Sequence, residues 1–208
     1  MKKISLKLVK RKCRMARQVD PNKIEKVKEA AIEMMIQYGY KGTSIASIAK
    51  KAGVSVGYLY RHYSGKEELI EELIESYLEE TKRDFEDTIA KSESFYDLIY
   101  SFVKGLFELA KTDILKLKFI ITLIFEYDFS TMNEKKKQEQ CAMIEKMMEK
   151  KLDTENLNEN TTVEDIMIVI FTIPLSFLAD KIMQENYKEL LTEKLARRIA
   201  HMCFRALT

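Results

Sequence analysis

Glycine and proline, the residues that most often interrupt helices, are scarce in this chain. Only six glycines and two prolines occur among its 208 residues, which favours long helices. Apolar residues recur at three- and four-residue steps along most of the chain, and this is the period of an amphipathic helix. The apolar run 119–125, taken alone, is also compatible with a strand, but no partner strand is visible in the sequence. We therefore predict an all-α fold.

The composition is that of a soluble protein with a hydrophobic core. Hydrophobic residues make up 46% of the chain and charged residues 33%, which excludes an intrinsically disordered chain. Cys13, Cys141 and Cys203 have no paired spacing, so neither a metal site nor a disulfide framework is expected. The longest apolar stretch, 166–179, is too short to span a bilayer. We predict a cytoplasmic protein with no membrane partner, no metal and no cofactor.

The small formal charge of +2 conceals a strong asymmetry along the chain. Residues 1–66 hold 16 Lys and Arg against 4 Asp and Glu, whereas residues 67–208 hold 19 against 29. A basic front suggests contact with a polyanion. Residues 1–17 alone contribute eight Lys and Arg, and two interpretations of them stay open. They are either a disordered arm that contacts DNA, or an upstream extension with Met15 as the natural start.

Start and stop signals divide the remaining sequence into two predicted domains, a front domain at 18–66 and a rear domain at 67–208. The front domain carries three helices, of which the second opens at Thr43 as its N-cap. Two short helices joined by a turn that contains glycine form a helix-turn-helix pattern. A long helix then runs from about 66 to 90 and connects front and rear. The predicted front helices cover about 21–39, 43–52 and 56–62.

The rear domain is rich in Phe, Met and Ile, and is predicted to be helical. Thr161 and Glu164 have the spacing of a capping box, which opens a strongly apolar helix. Pro174 is expected to kink that helix. The other predicted elements of this part are a helix at 131–151, a loop at 152–161 and a last helix at 188–207.

The most informative segment runs from Thr43 to Leu69, because groups that suit DNA binding alternate within it. Hydroxyl groups and exposed N–H groups at helix starts are natural phosphate ligands. In the alternative interpretation, Leu59, Tyr60 and Tyr63 belong to the core and the rest is a solvated face. The groups that favour DNA binding are the hydroxyls of Thr43, Ser44 and Ser55, the small Gly57, the aromatic Tyr58, Tyr60, His62 and Tyr63, and the basic Lys50, Lys51, Arg61 and Lys66.

The same segment resembles the DNA-binding domain of the TetR family of bacterial transcriptional repressors. The resemblance covers about 22–70, and many spaced positions agree at once. Tyr63 is matched although Phe is frequent there, and one position departs from the family pattern, because Gly65 stands where a capping Ser, Asp or Asn is frequent. The matched features are Tyr38-Gly39-Tyr40, Thr43-Ser44, Ile48-Ala49, Ala52-Gly53-Val54-Ser55, Gly57, Leu59-Tyr60, Tyr63 and Lys66-Glu67-Glu68-Leu69.

This resemblance implies a recognition helix at 55–62 that enters the major groove. Val56 and Tyr58 would then face base edges. Phosphate contacts are implied for Thr43 and Ser44, for Tyr60 and His62, and for Lys66. The complete set of candidate DNA-binding residues is Thr43, Ser44, Ser55, Val56, Gly57, Tyr58, Tyr60, Arg61, His62 and Lys66.

The resemblance also implies a homodimer that binds a near-palindromic, double-stranded operator and responds to a small-molecule effector in the rear domain. The abundance of Phe, Met and Ile there suggests an apolar effector. Candidate cavity residues are Phe102, Phe107, Phe119, Leu123, Met147 and Phe171. Candidate dimer-interface residues are Ile170, Phe177, Leu178, Leu195, Ile199 and Met202.

Two other classes of function compete with a DNA-binding regulator. An all-helical enzyme is disfavoured because His62 and His201 are the only histidines, and because no phosphate loop, nucleophile elbow or metal-ligand spacing appears. We predict no catalytic residue. A helical protein-interaction module is disfavoured because a protein-binding front domain has no need of so much positive charge.

Overall fold

The computed structural model describes residues 21–126 and 157–208, and every regular element in these ranges is helical. The all-α prediction is confirmed. The basic segment 1–17, the predicted helix at 131–151 and the candidate ligand residue Met147 lie outside the described residues. In chain order the helices are α1 (Pro21–Gly42), α2 (Ile45–Ala52), α3 (Val56–Leu59), α4 (Lys66–Lys91), α5 (Phe95–Thr112), α6 (Ile114–Glu126), α7 (Val163–Met167), α8 (Ile173–Lys181), α9 (Tyr187–Leu190) and α10 (Glu193–Leu207).

Helix α1 begins at the predicted proline and packs its apolar row into the front of the molecule. Val27, Ala31 and Met35 on this row are buried. The helix is interrupted at Gly39, where φ is 71° and ψ is 173°. The sequence predicts the helix end at this glycine; the structure has the break there and a further short stretch of helix beyond it. Side chains other than glycine rarely adopt such a positive φ.

Helices α2 and α3 form the predicted helix-turn-helix. Gly53 ends α2 in the left-handed conformation, with φ of 68°, as expected for a C-terminal glycine. The N-cap of α2 is Ser44 rather than the predicted Thr43, because the Ser44 hydroxyl accepts the N–H of Ser47 at 3.1 Å. Helix α3 is shorter than the predicted 56–62, because the backbone continues beyond Leu59 as a series of tight turns.

Helix α4 joins the front of the molecule to the rear. Its N-cap residue is Gly65, which has an extended backbone and no side chain that could cap the helix. Leu69 and Ile70, near its beginning, are buried in the front core, whereas Phe85 and Ile89, near its end, are buried in the rear core. A single helix therefore contributes to both cores, in agreement with the predicted connecting helix.

The capping box before α7 lies one residue later than the sequence predicts. Thr162 is the N-cap, and Asp165 completes the box because its carboxylate accepts the Thr162 N–H at 2.9 Å. The predicted pair was Thr161 and Glu164. Both pairs have the same spacing, so the sequence pattern alone does not distinguish them.

A π-helical turn (Ile168–Thr172) lies just before Pro174, where the sequence predicts a kink. In that register the amide of residue 174 would donate to the Val169 carbonyl, but proline has no N–H. The Cys203 thiol instead donates to the Val169 carbonyl oxygen at 3.3 Å. Burial raises the pKa of Cys203 to about 11, so the thiol is protonated and can donate at neutral pH.

The last predicted helix, 188–207, is divided into α9 and α10. The division occurs because the Thr192 hydroxyl accepts the N–H of Leu195 and starts a new helix. Helix α10 then packs on α5, where the Phe204 ring lies 6.3 Å from the Phe95 ring. The apolar face of α10 is thereby largely used within the chain.

Buried apolar side chains form two clusters, which we call the front core and the rear core. The front core is built from α1, α2, α4 and the region of α3, and also includes Phe119 and Leu123 of α6. The rear core contains Leu117 and Ile120 from the same helix, together with residues of α4, α5 and α7 to α10. Helix α6 therefore lies between the two cores and contributes one face to each.

Candidate nucleic-acid interface

The helix-turn-helix presents a row of exposed residues at the surface of the front domain. Ser55, Val56 and Gly57 form the first turn of α3, and Tyr60 and Arg61 follow them. Tyr60 is 59% exposed and Val56 is 39% exposed. Hydroxyl, guanidinium and small apolar groups are the ones that DNA-binding helices use on phosphates and base edges.

The opposite side of α3 anchors it to the front core. Leu59 is completely buried, and Tyr63 donates its backbone N–H to the Leu59 carbonyl at 2.9 Å. Burial, together with the neighbouring Glu72 carboxylate, raises the pKa of Tyr63 to about 12. Glu72 in turn forms an ion pair with Lys28 of α1 at 2.9 Å. These contacts fix the exposed row on a rigid support.

Tyr58 is placed differently from the expectation that it faces base edges. Its hydroxyl is buried and has no hydrogen-bond partner among the described residues. The Tyr58 and His62 rings are 4.8 Å apart, and the Arg61 guanidinium lies 5.4 Å from the centre of the Tyr58 ring. Within the predicted pair, Val56 is the residue with an exposed side chain.

Thr43 and Ser44, both predicted to contact phosphate, have different environments. Thr43 is only 3% exposed, and its hydroxyl donates to the Gly39 carbonyl at 2.8 Å. This hydroxyl stabilises the turn between α1 and α2, and the phosphate contact of Thr43 stays a prediction. Ser44 is exposed, and its hydroxyl caps α2. The positive end of the α2 dipole therefore lies beside an exposed hydroxyl, a combination suited to phosphate.

Two of the predicted basic residues are engaged in contacts within the chain. Lys66 is half-buried, and its Nζ donates to the Tyr40 carbonyl at 2.9 Å and lies 4.2 Å from the Tyr40 ring centre. This bond uses one of the three N–H donors of the ammonium, and the phosphate contact of Lys66 stays a prediction. Lys51 pairs with Glu33 at 2.6 Å, and hydrogen bonding to Glu33 raises the pKa of Lys51.

A hydrogen bond between front and rear at Tyr40 was not predicted from the sequence. The Tyr40 N–H donates to Oε2 of Glu126 at 3.0 Å, across 86 residues of sequence. Glu126 is the last described residue of α6. We call the group formed by Gly39, Tyr40, Lys66 and Glu126 the Tyr40 junction. A glutamate at the end of a helix has no local pattern that announces such a contact.

The helix-turn-helix also carries a family signature. The family model described as bacterial regulatory proteins, tetR family, matches residues 28–73, which include α2, α3 and the first part of α4. This part of the chain is therefore similar to the TetR family. The resemblance noted in the sequence is thus confirmed, and the matched residues coincide with the exposed row and its supporting helices.

Sequence similarity to individual proteins covers part of this chain, whereas similarity of fold covers most of it. An uncharacterized HTH-type transcriptional regulator of Bacillus subtilis, YhgD, is 32% identical over 90 residues, which cover 43% of this chain and 47% of YhgD. For YhgD and two further curated relatives, the match spans about half or less of the relative's length. A TetR-family regulator from Marinobacter aquaeolei has a TM-score of 0.68 at 17% identity, covering 92% of this chain and 98% of its own.

A second solved structure, FadR from Bacillus subtilis in complex with stearoyl-CoA, has a TM-score of 0.63 at 16% identity. The match covers 88% of this chain and 99% of FadR. At such low identity the likeness shows a shared fold over both front and rear.

The candidate cavity residues do not all lie in one place. Phe102 and Phe171 meet in the rear core with ring centres 4.9 Å apart, and the Phe85 ring contacts both. Phe107 is buried in the same core. Phe119 and Leu123 instead belong to the front core.

The candidate dimer residues divide into buried and exposed sets. Ile170, Leu178 and Ile199 are already buried in the rear core, so their side chains have no surface left for a second copy. Phe177 and Leu195 are half-buried, and Met202 is 53% exposed. Phe177 and Leu195 line an open groove that also contains Tyr96, Lys181, Arg198 and His201.

No helix within residues 21–126 and 157–208 is long and apolar enough to cross a bilayer. Across the same ranges, no three His, Cys, Asp or Glu side chains are grouped as metal ligands. The second histidine, His201, is exposed on α10 and lies 6.5 Å from the Tyr96 ring.

Proposed function

We propose that this chain is a transcriptional regulator that binds a near-palindromic operator as a homodimer, represses transcription there and is released by a small molecule in the rear domain. The observation that carries the proposal is the exposed row on α3, held from beneath by Leu59 and Tyr63. The function involves no catalysis and belongs in the cytoplasm, where the operator is accessible.

The proposed DNA contacts follow from which side chains are exposed. Ser55, Tyr60 and Arg61 donate hydrogen bonds to phosphate oxygens, and Val56 contacts base edges such as a thymine methyl group. A Cβ added at Gly57 would meet no atom of the described residues within 4 Å. Because nothing inside the protein requires a glycine there, its absent side chain serves the close approach of DNA.

A second copy is proposed to pack on the outer faces of α8 and α10. Phe177, Leu195 and Met202 supply exposed apolar surface on these helices, and the groove between them has a volume of about 820 Å³. Replacing the exposed Met202 by glutamate is expected to separate the copies, because it places a charge in an apolar contact. Sedimentation velocity measures the change from dimer to monomer.

The effector is proposed to be apolar or amphipathic and to bind near the phenylalanine group of the rear core. Phe85, Phe102 and Phe171 form this group, and Phe171 lies within the π-helical turn. π-Helical turns are frequent at functional sites. FadR, which shares the fold, is solved with stearoyl-CoA, and this supports a ligand with a long apolar part.

Selection of bound DNA from a random pool tests the proposed function directly. The expected result is a palindromic consensus with half-sites about one helical turn apart, because two identical heads bind it. Recovery of DNA without a common sequence, or no recovery, would contradict the proposal.

Two pairs of variants test the assigned surface. Gly57→Ala is expected to lower operator affinity at least tenfold while leaving the unfolding midpoint unchanged or higher, whereas the exposed Gly105→Ala in α5 leaves affinity unchanged. Arg61→Ala is expected to reduce the salt dependence of binding by about one counterion. Arg83 lies about 25 Å from the start of α4. Arg83→Ala is expected to leave the salt dependence of binding unchanged. Fluorescence anisotropy at several salt concentrations measures both effects.

A further inference from the structure

The Tyr40 junction is the place where the end of α6 is hydrogen-bonded to the front domain. Both polar groups of the Tyr40 backbone are engaged there. Its N–H donates to Glu126 at 3.0 Å, and its carbonyl accepts from Lys66 at 2.9 Å. Glu126 belongs to the helix shared by the two cores, and Lys66 begins the helix that leads from front to rear.

The backbone of α1 is shaped for this contact. At Gly39 φ is positive, which interrupts the helix just before the Tyr40 amide that donates to Glu126. A Cβ at residue 39 would overlap Oε2 of Glu126. Gly39 therefore serves two purposes, since it permits the turn and leaves space for the carboxylate that accepts the Tyr40 N–H.

The same face of α6 continues the contact into the front core. Phe119 and Leu123 are buried there, and they precede Glu126 by seven and three residues, which places all three on one side of the helix. Leu117 and Ile120 lie in the rear core. Any displacement of α6 by the rear core is thus carried to the front domain by two apolar side chains and one charged hydrogen bond.

We propose that Glu126 is a positioning residue that fixes the orientation of the DNA-binding domain on α6 and thereby sets which operator spacing a dimer accepts. This inference rests on the proposed function, because spacing matters only if two heads bind one operator. Two heads with fixed orientation reject half-sites displaced by one base pair, which rotates one site by about one-tenth of a turn. Heads that are free to rotate tolerate the displacement.

The experiment compares the selected operator with versions that are one base pair longer and one shorter at the centre. Glu126→Ala is expected to reduce the discrimination between these operators on the order of fivefold, the effect of losing one hydrogen bond to a charged acceptor at an exposed site. Glu126→Gln retains an acceptor and is expected to lie between. Affinity for an isolated half-site should remain that of the unsubstituted protein.

Glu108→Ala is the matched control. It also removes one exposed carboxylate, but Glu108 pairs only with Lys111 on its own helix among the contacts of the described residues. An effect of charge alone would appear in both variants, whereas a positioning effect appears only at Glu126. Faster exchange of the Tyr40 amide proton in Glu126→Ala, measured by NMR, confirms that the intended hydrogen bond has been removed.

Two results would overturn the inference in distinguishable ways. If the unsubstituted protein selects a palindrome but Glu126→Ala discriminates between spacings as the unsubstituted protein does, the proposed function stands and the role of Glu126 is refuted. If the unsubstituted protein selects no palindrome, the proposed function fails and the inference fails with it. Unchanged circular dichroism of both Glu126→Ala and Glu126→Gln excludes unfolding as the cause of any altered discrimination.

Discussion

Replacing glycines by alanine, one at a time, is expected to give three different changes in stability that follow from three environments. Gly39 has φ of 71° and ψ of 173°, and its added Cβ would overlap the Glu126 carboxylate. Gly53 has φ of 68° and ψ of 31°, with no atom within 4 Å of the added Cβ. Gly105 lies within α5 with equally open space around it.

These environments set the expected free energies. Gly105→Ala should raise the free energy of unfolding by about 0.5–1 kcal/mol, because alanine favours the helix and restricts the unfolded chain. Gly53→Ala should lower it by about 1 kcal/mol, since left-handed backbone costs an alanine about 1–2 kcal/mol, partly offset in the unfolded state. Gly39→Ala should lower it by about 2–4 kcal/mol, because its backbone region is nearly exclusive to glycine and the Tyr40–Glu126 hydrogen bond is also lost.

Urea unfolding followed by circular dichroism at 222 nm, at one fixed protein concentration, measures all three variants. The order of stability, with Gly105→Ala highest and Gly39→Ala lowest, is the result that the structure predicts. A second measurement places Gly39→Ala in the Glu126→Ala background, where the overlap is gone and only the backbone strain remains. If Gly39→Ala costs no more than Gly53→Ala, or costs the same in both backgrounds, the described geometry of the Tyr40 junction is refuted.

Three further predictions concern the interface and its support. Tyr58→Phe should raise the free energy of unfolding by about 1 kcal/mol because it removes a buried hydroxyl without a partner, whereas Tyr63→Phe should lower it by a similar amount because Glu72 loses its donor; urea unfolding distinguishes the two signs. Raising the pH from about 10 to about 12 should destabilise the protein. Folding raises the pKa of Tyr63 and of Tyr77 to about 12, whereas the phenols of the unfolded chain lose their protons near pH 10. Tyrosinate absorbance at 295 nm and circular dichroism should therefore change together. Ser44→Ala should cost about 1 kcal/mol through loss of the α2 cap, measured by thermal unfolding.

Local signals in the sequence were sufficient to predict most of the helices. The glycine breaks at Gly39 and Gly53 and the cap at Ser55 involve neighbours within four residues, so a short window contains the whole interaction. The errors at Thr43 and Thr161 are single-residue displacements between adjacent hydroxyl residues. Either hydroxyl satisfies the capping pattern, and the choice depends on which backbone angle the surrounding packing imposes.

For the predicted DNA-binding residues, the sequence pattern does not show which polar groups face solvent and which face the interior. Val56, Tyr60 and Arg61 are exposed, whereas Thr43 and Lys66 use their polar groups inside the front domain. A hydroxyl or an ammonium has the same appearance in a sequence whether it faces solvent or a carbonyl oxygen. The difference arises only when α1, α2 and α4 meet and bring backbone acceptors within reach.

The sequence by itself determined that this chain is helical, that it carries a helix-turn-helix and that its front resembles the TetR family, because periodicity, caps and glycine turns are interactions between near neighbours. Only the tertiary structure decided that α6 is shared by two cores and that Glu126 binds the Tyr40 amide. That contact joins residues 86 positions apart and arises only when separate helices pack together, so no local pattern encodes it.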